Sequence, residues 1–243
     1  MAVADQTVGD AVQVRKLFDA KAAAWPSKYA PGGRLTSRLT RLGSAVTYHV
    51  PEGGTVLDLG CGTGELAGAL AEAGRRVTGC DISPEMLHRA LSAGLPPTIN
   101  WVQLEPGWQE LPFMPETFDA VVASSVLEYV DDPVTVLREC SRALRPGGVL
   151  ICTVPDPRHP VRWLEWFLGI GARIPIVRIG CRMSPKFQGY ATYLSVSRQR
   201  HSFRWWSTAA ARASLHAIPP VPHIAERSPL RMLAFERPKF TVE

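Results

Sequence analysis

The run Val56-Leu57-Asp58-Leu59-Gly60-Cys61-Gly62-Thr63-Gly64 constrains this chain more than any other stretch. Four apolar-rich positions end in a loop with glycine at every second residue, and a helical segment, Glu65 to Gly74, follows at once. Glycines there let the backbone turn sharply and approach a ligand closely. The loop also feeds a helix N-terminus, where N–H groups and the dipole favour an anionic group such as a carboxylate. Strand, glycine loop and helix in this order open a nucleotide-binding α/β domain.

From Thr55 the alternation is regular. Strands are expected at Val56–Leu59, Arg76–Cys80, Thr98–Leu104, Phe118–Ser124 and Val149–Val154, with helices from Glu65, from Ser83-Pro84-Glu85 and over Pro133–Leu144. That spacing implies a doubly wound, Rossmann-like, mostly parallel sheet with right-handed crossovers. Ser207 is expected to cap a helix over Thr208–Ala217. Ile224–Arg227 and Arg231–Glu236 are expected to close a seven-stranded sheet as a final antiparallel hairpin. In front of this core, residues 1–9 read as a frayed tail, and Ala11–Ala24 and Arg34–Val50 as helices. The chain therefore divides into an N-terminal helical segment, 1–54, that closes over the ligand, and an α/β domain, 55–243, with 155–206 as a cap insert after strand five.

Ligands of open α/β sheets sit outside the C-terminal strand ends, at the switch point. This selects Asp58 to Gly64, Asp81, Leu104 to Trp108 and Ser124 to Tyr129. Asp81, about twenty residues past the glycines, is placed to accept both hydroxyls of a ribose, which indicates adenosine but no particular chemistry. The pattern Asp-x-Gly-x-Gly-x-Gly puts an acid two residues before the first glycine. An acid there is awkward beside a pyrophosphate and suits a ligand carrying an ammonium and a sulfonium.

With the strand end Cys80-Asp81-Ile82-Ser83, Leu111-Pro112-Phe113, Phe118-Asp119-Ala-Val-Val, Val126-Leu127-Glu128-Tyr129-Val130 and Leu144-Arg145-Pro146-Gly147-Gly148, the sequence resembles the class I S-adenosylmethionine-dependent methyltransferases over roughly Thr55 to Val154. The resemblance implies S-adenosyl-L-methionine as cofactor and S-adenosyl-L-homocysteine as product. It places Asp58, Gly60, Cys61, Gly62 and Gly64 around the methionine part, Asp81 on the ribose, and Ile82 and Met86 on adenine, although the last two read equally as core. Glu105, Trp108 and Gln109 are candidates for the adenine amino group, because the usual acid after strand three is missing. Ser124 and Ser125 fall beside the methyl-transfer face. Many relatives read Leu-Glu-His where this chain has Leu127-Glu128-Tyr129, so a histidine base is absent there and Tyr129 is expected to act as a lid. Trp25, Tyr29, Arg34 and Arg38 are candidates to close over the methionine carboxylate.

The sulfonium is already an activated electrophile, so the protein must chiefly place the acceptor in line. For an oxygen acceptor, His159, His201 and Tyr193 are the candidate catalytic bases. Between Arg158 and Arg212 there are ten basic residues and one acid, Glu165, interleaved with aromatics such as Trp163, Trp166, Tyr193, Trp205 and Trp206. This insert is expected to form the pocket of an apolar or aromatic small-molecule acceptor, with or without an anionic or lipid part, with O-methylation ahead of N- or C-methylation. Peripheral membrane contact through Val161–Ile170 is an alternative. RNA methylation is disfavoured, since no RNA-binding module accompanies the basic and aromatic residues, and binding of cofactor or partner without turnover is the reading from another class. The net charge of +5 alone selects none of these. Five scattered cysteines without a C-x-x-C pair argue against zinc and against a disulfide framework. The absence of a leader-like start or a long apolar run gives a cytoplasmic expectation.

Overall fold

The computed structural model describes residues 2–33, 35–161, 193–221 and 228–239. Seven strands form one sheet: β1 Thr55–Leu59, β2 Arg76–Asp81, β3 Asn100–Gln103, β4 Phe118–Ser124, β5 Leu144–Pro155, β6 His216–Ile218 and β7 Leu230–Glu236. Their spatial order is β3-β2-β1-β4-β5-β7-β6. Strands β1 to β5 are mutually parallel, β7 is antiparallel to β5, and β6 is antiparallel to β7. The chain runs outward from β1 to β3 and then returns to place β4 on the other side of β1. The crevice lies where this order reverses.

The central strands are buried on both faces, and the period of two assigns each residue to a layer. Leu57, Leu59, Val121, Ala123, Leu150 and Cys152 point to one side, with Leu233 and Phe235 of β7. There they meet Leu137 and Cys140 of α5 (Pro133–Ala143) and Trp206, Ala209 and Ala210 of a later helix, labelled α6 (Phe203–Ala211). Val56, Ala120, Val122, Val149 and Ile151 point to the other side. They pack on Leu42, Ala45 and Val46 of α2 (Thr36–His49) and on Leu66, Ala67 and Leu70 of α3 (Glu65–Glu72). Helix α4 (Pro84–Ser92) lies against β2 and β3, and α1 (Ala2–Asp19) lies against α4. The N-terminal residues read as a tail are helical: nothing from Ala2 to Gln6 breaks a helix, and a single Gly9 is tolerated inside one.

Local chemistry sets most helix starts. Ser83 Oγ accepts from the Met86 N–H at 3.1 Å with Pro84 next in line, as expected for α4. Asp132 does the same for α5, accepting from the N–H groups of Val134 (2.9 Å) and Thr135 (3.3 Å). Asp132→Ala is therefore expected to cost about 1 kcal/mol in a denaturant titration; an unchanged midpoint would show the cap to be idle.

One expectation for the C-terminal part fails. The helix set at Thr208–Ala217 instead spans Phe203–Ala211, capped by Ser202, whose Oγ accepts from the Trp205 N–H. Trp206, Ala209, Ala210 and Ala213 then form the buried face at helical spacing, while the Ser207 hydroxyl is left inside the helix without a partner. Burial of Trp206 decides between two serines that both could cap. The edge partner of β7 is His216–Ile218, which pairs with Glu236 to Ala234. The stretch Ile224–Arg227 lies outside the described residues. The antiparallel closing hairpin itself is present, formed by β6 and β7.

Candidate active site

A cavity of about 890 Å³ opens at the C-terminal ends of β1, β2 and β4. Its floor is the glycine loop, held in place by β2. Gly60 and Cys61 donate their N–H groups to the Cys80 carbonyl at 2.8 and 3.0 Å, and Gly62 donates to Asp81 Oδ2 at 2.9 Å. Gly60 and Gly62 need their positive φ values (+71° and +56°) to make this turn. A Cβ on Gly60 would also lie 2.4 Å from the Val126 side chain. The N–H groups of Gly60, Cys61 and Gly62 are thus spent on β2 and not aimed at an external anion. The start of α3 is served by the protein's own acid, since the Ala67 N–H bonds to Asp58.

Asp58 is 1% exposed, and its Oδ2 has no hydrogen-bond partner. Burial, reinforced by the Asp81 and Glu65 carboxylates, pushes it up to about 7. Asp81 is raised to about 6, chiefly by burial, against the opposing N–H bonds of Ser83, Gly62 and Ile82. Its Oδ1 accepts the Ser83 N–H at 2.8 Å and its Oδ2 the Gly62 N–H at 2.9 Å. Glu65 also lines the cavity, its carboxylate held by Thr63 Oγ1 at 2.6 and 2.7 Å. Three carboxylates around one floor, two of them buried and one of these with an orphaned oxygen, form a site that a cationic ligand completes.

Around the floor, Ile82, Met86, Leu104, Gly107, Trp108 and Gln109 line one end. Glu105 does not line it; its carbonyl accepts the Trp108 N–H in the turn that brings Trp108 inward. Gly64 also lies outside, with φ +86° and its α-carbon against Trp101, Leu95 and Ala90. On the N-terminal side Trp25 sits over Gly62, and Lys28 stacks on the Trp25 ring with its ammonium 3.3 Å from the centroid. Tyr29 is raised to about 12 by burial, against the opposing charge of Arg38. Arg38 donates to Ser125 Oγ at 3.1 Å, and Ser125 holds a left-handed φ of 56°, strain of the kind that collects at functional sites. Arg34 is outside the described residues. Ser124 and Ser125 both line the cavity.

The far end is apolar and aromatic: Val14, Phe18, Tyr129, Val161, Leu230 and Tyr193. Phe18 meets Trp25 and Tyr129 edge-on, with centroids 5.6 and 5.2 Å apart, and Tyr129 meets Tyr193 at 6.3 Å. Of the three candidate bases, the structure brings only Tyr193 to the cavity. His159 lies at the surface beyond β5, where its Nδ1 accepts the Val161 N–H at 3.3 Å. His201 stacks on Trp205 at 3.6 Å and bonds Gln199 at 2.8 Å, and burial lowers its pKa. Phe18, Lys21 and Glu65 also line the site, although the sequence did not single them out for it, and so does Glu128, which lies in the selected Ser124–Tyr129 stretch but was given no role. Glu128 had a readable signal, an acid inside the apolar run Val126–Val130; Phe18 looks like any core residue of an amphipathic helix. Among the described residues no group of three His, Cys, Asp or Glu side chains is arranged to hold a metal.

A sheet of this order, with acids ending β1 and β2 around a glycine loop and an orphaned carboxylate where an ammonium fits, defines an S-adenosylmethionine-binding α/β domain. Residues 57–152 match the family model described as a methyltransferase domain. The chain is 31% identical over 182 residues to the ubiquinone biosynthesis O-methyltransferase of Sodalis glossinidius, covering 70% of this chain and 69% of that one. It is 39% identical over 124 residues to the protein of the same name from Pseudomonas paraeruginosa, about half of each chain. Among solved structures, the magnesium protoporphyrin IX methyltransferase of Synechocystis PCC 6803 with bound SAH superposes with a TM-score of 0.67 at 18% identity, over 92% of this chain and 98% of that one. The chain belongs to the class I S-adenosylmethionine-dependent methyltransferases. It is an enzyme, and S-adenosylmethionine is its cofactor.

Proposed function

We propose that this enzyme methylates a hydroxyl oxygen of a small aromatic acceptor of the phenol or catechol class. The observation that carries this reading is the extent of the cavity. It continues from Asp58 and Asp81 past Ser124 and Ser125 into the aromatic chamber formed by Phe18, Tyr129, Tyr193 and Leu230. Its 890 Å³ lies in the upper part of the range for small-molecule sites, which suits a cofactor and a planar acceptor together. The O-methyltransferase names of the relatives favour oxygen as the atom methylated.

The bound cofactor supplies a methyl group already activated on a sulfonium. Asp58 holds the ammonium, Asp81 the ribose hydroxyls, and Ile82 and Met86 the adenine face. Trp25, Tyr29 and Arg38 close over the methionine end, so that the N-terminal segment covers the cofactor. The chamber orients the acceptor and excludes water, and alignment of this kind is worth on the order of 7–11 kcal/mol in well-placed cases. Contact with a membrane surface is not part of this reading: most of Val161–Ile170 falls outside the described residues. No helix among the described residues is long and apolar enough to cross a membrane.

The test is transfer of labelled methyl from S-adenosylmethionine to a panel of catechols, monophenols, aromatic amines and a mixed RNA. Catechols or phenols are expected to be labelled well above the amines and RNA. Preferential labelling of amines or RNA would overturn the reading. Tight cofactor binding with no transfer to any acceptor would favour a binding protein instead.

A further inference from the structure

The chamber is bordered by a carboxylate to which the cofactor reading above gives no role. Glu128 follows β4 in the turn that ends at Tyr129, and it is 2% exposed while still bordering the cavity. Its Oε2 accepts from Ser197 Oγ at 2.8 Å and from the Tyr193 hydroxyl at 3.3 Å. The backbone fixes the same pairing, because the Glu128 carbonyl accepts the N–H groups of Arg198 (2.9 Å) and Gln199 (3.3 Å). Residues 193–199 are therefore clamped to Glu128 by side chain and main chain together. Burying a carboxylate for structure alone is costly. Glu128 instead borders the acceptor chamber and leads through one hydroxyl into it.

We propose that Tyr193 and Glu128 form a proton relay for the acceptor: Tyr193 is the catalytic base at the acceptor hydroxyl, and Glu128 is the positioning residue that receives the proton through it. This rests on the O-methylation reading above. In the step, the acceptor O–H bond breaks and its proton passes to the Tyr193 oxygen. The proton already on that oxygen passes to Glu128 Oε2. The acceptor oxygen forms its bond to the methyl carbon while the carbon–sulfur bond breaks, its electron pair staying on a now neutral sulfur. The proton on Glu128 later returns to solvent.

The charges facing the pair suit this direction. The Lys21 ammonium lies 5.9 Å from the Tyr193 ring centroid and favours negative charge on the phenol. Tyr129 packs on Tyr193 edge-on and adds no charge. The Arg198 guanidinium is engaged by Asp10 of α1 and by Asp131, so the acids of the Tyr129–Asp132 turn are partly offset beside the pair. The 3.3 Å separation is at the loose end of hydrogen bonding, as is common before a substrate tightens such contacts.

The experiment compares Tyr193→Phe and Glu128→Gln with the wild-type enzyme on catechol and on 4-nitrocatechol, at a pH where only the second is ionised. For catechol, kcat is expected to fall about 10²- to 10⁴-fold in both variants, the usual worth of general base catalysis. For the ionised acceptor the loss should shrink to under tenfold, because the ionised oxygen has already given up its proton and can be methylated without a base. Cofactor affinity by calorimetry should stay within threefold. The visible spectrum of 4-nitrocatechol bound beside S-adenosylhomocysteine should show ionisation at lower pH in wild type than in either variant. Equal losses on both acceptors would overturn the relay in favour of a structural role, as would full activity on catechol in Tyr193→Phe. If Glu128→Gln does not fold, Tyr193→Phe carries the test alone. If the wild-type enzyme methylates no hydroxyl acceptor, the O-methylation reading has failed, and the relay with it.

Discussion

Asp58→Asn is expected to lose about 2–5 kcal/mol of S-adenosylmethionine affinity, roughly 30-fold to over 3,000-fold, while making the cofactor-free protein more stable at pH 8. The affinity is lost because a buried carboxylate oxygen without a protein partner is the group placed to meet the ligand ammonium. The stability is gained because that same charge is held in a dry site beside Asp81 and Glu65, which push Asp58 up to about 7. The sign follows from proton linkage. Between its ordinary value near 3.8 and about 7, native Asp58 keeps a proton that the unfolded chain has released. Stability from this group is therefore full below about pH 4, falls as pH rises, and is gone above about pH 7. The penalty at pH 8 is on the order of 4 kcal/mol. Melting curves of both proteins at pH 5.5 and pH 8 should diverge as pH rises, the variant melting higher at pH 8. A cofactor Kd within threefold of wild type, or a variant that melts lower at pH 8, would show that Asp58 is not an uncompensated acid awaiting a cation.

Gly64→Ala should damage the fold rather than the cofactor contact. The position holds φ +86°, and an added Cβ would sit 2.6 Å from Trp101, 2.7 Å from Leu95 and 3.2 Å from Ala90. A left-handed alanine costs about 1–2 kcal/mol, and overpacking a filled site a further 1–3. The expected loss is about 2–5 kcal/mol by denaturant titration, with cofactor affinity of the folded protein little changed. A loss under about 0.5 kcal/mol would mean that α3 and β3 yield more readily than their packing indicates. Read in sequence, Gly64 belongs with Gly60 and Gly62 as part of the cofactor loop. In the folded chain it is where α3 passes closely over Trp101 and Leu95, so three like residues in one motif serve different ends.

The strand positions, the glycine loop and the two acids at the ends of β1 and β2 were legible because each rests on local chemistry. Alternation of apolar residues marks a strand, serine or aspartate before proline marks a helix start, and glycine marks a turn that only it can make. The same local signals misplaced α6. Ser202 and Ser207 can each cap a helix, and only the burial of Trp206 against α5 and the sheet chooses between them. They also left three bases equivalent that the fold separates, since Tyr193 lines the cavity and His159 and His201 do not.

By itself the sequence determined the sheet, the cofactor class and the acids that receive it, all contained in residues close together along the chain. Tertiary structure decided which distant side chains share the chamber. Tyr193 reaches Glu128 across 65 residues, Ser83 reaches Asp19 across 64, and Arg198 reaches Asp10 across 188. Periodicity states that a face is apolar or that a charge is exposed, but it carries no information about what will cover that face. The loop from Asp58 to Gly64 could be read before folding because its function is its own backbone. The acceptor side could not, because its surface exists only when α1, the turn after β4 and residues 193–199 come together.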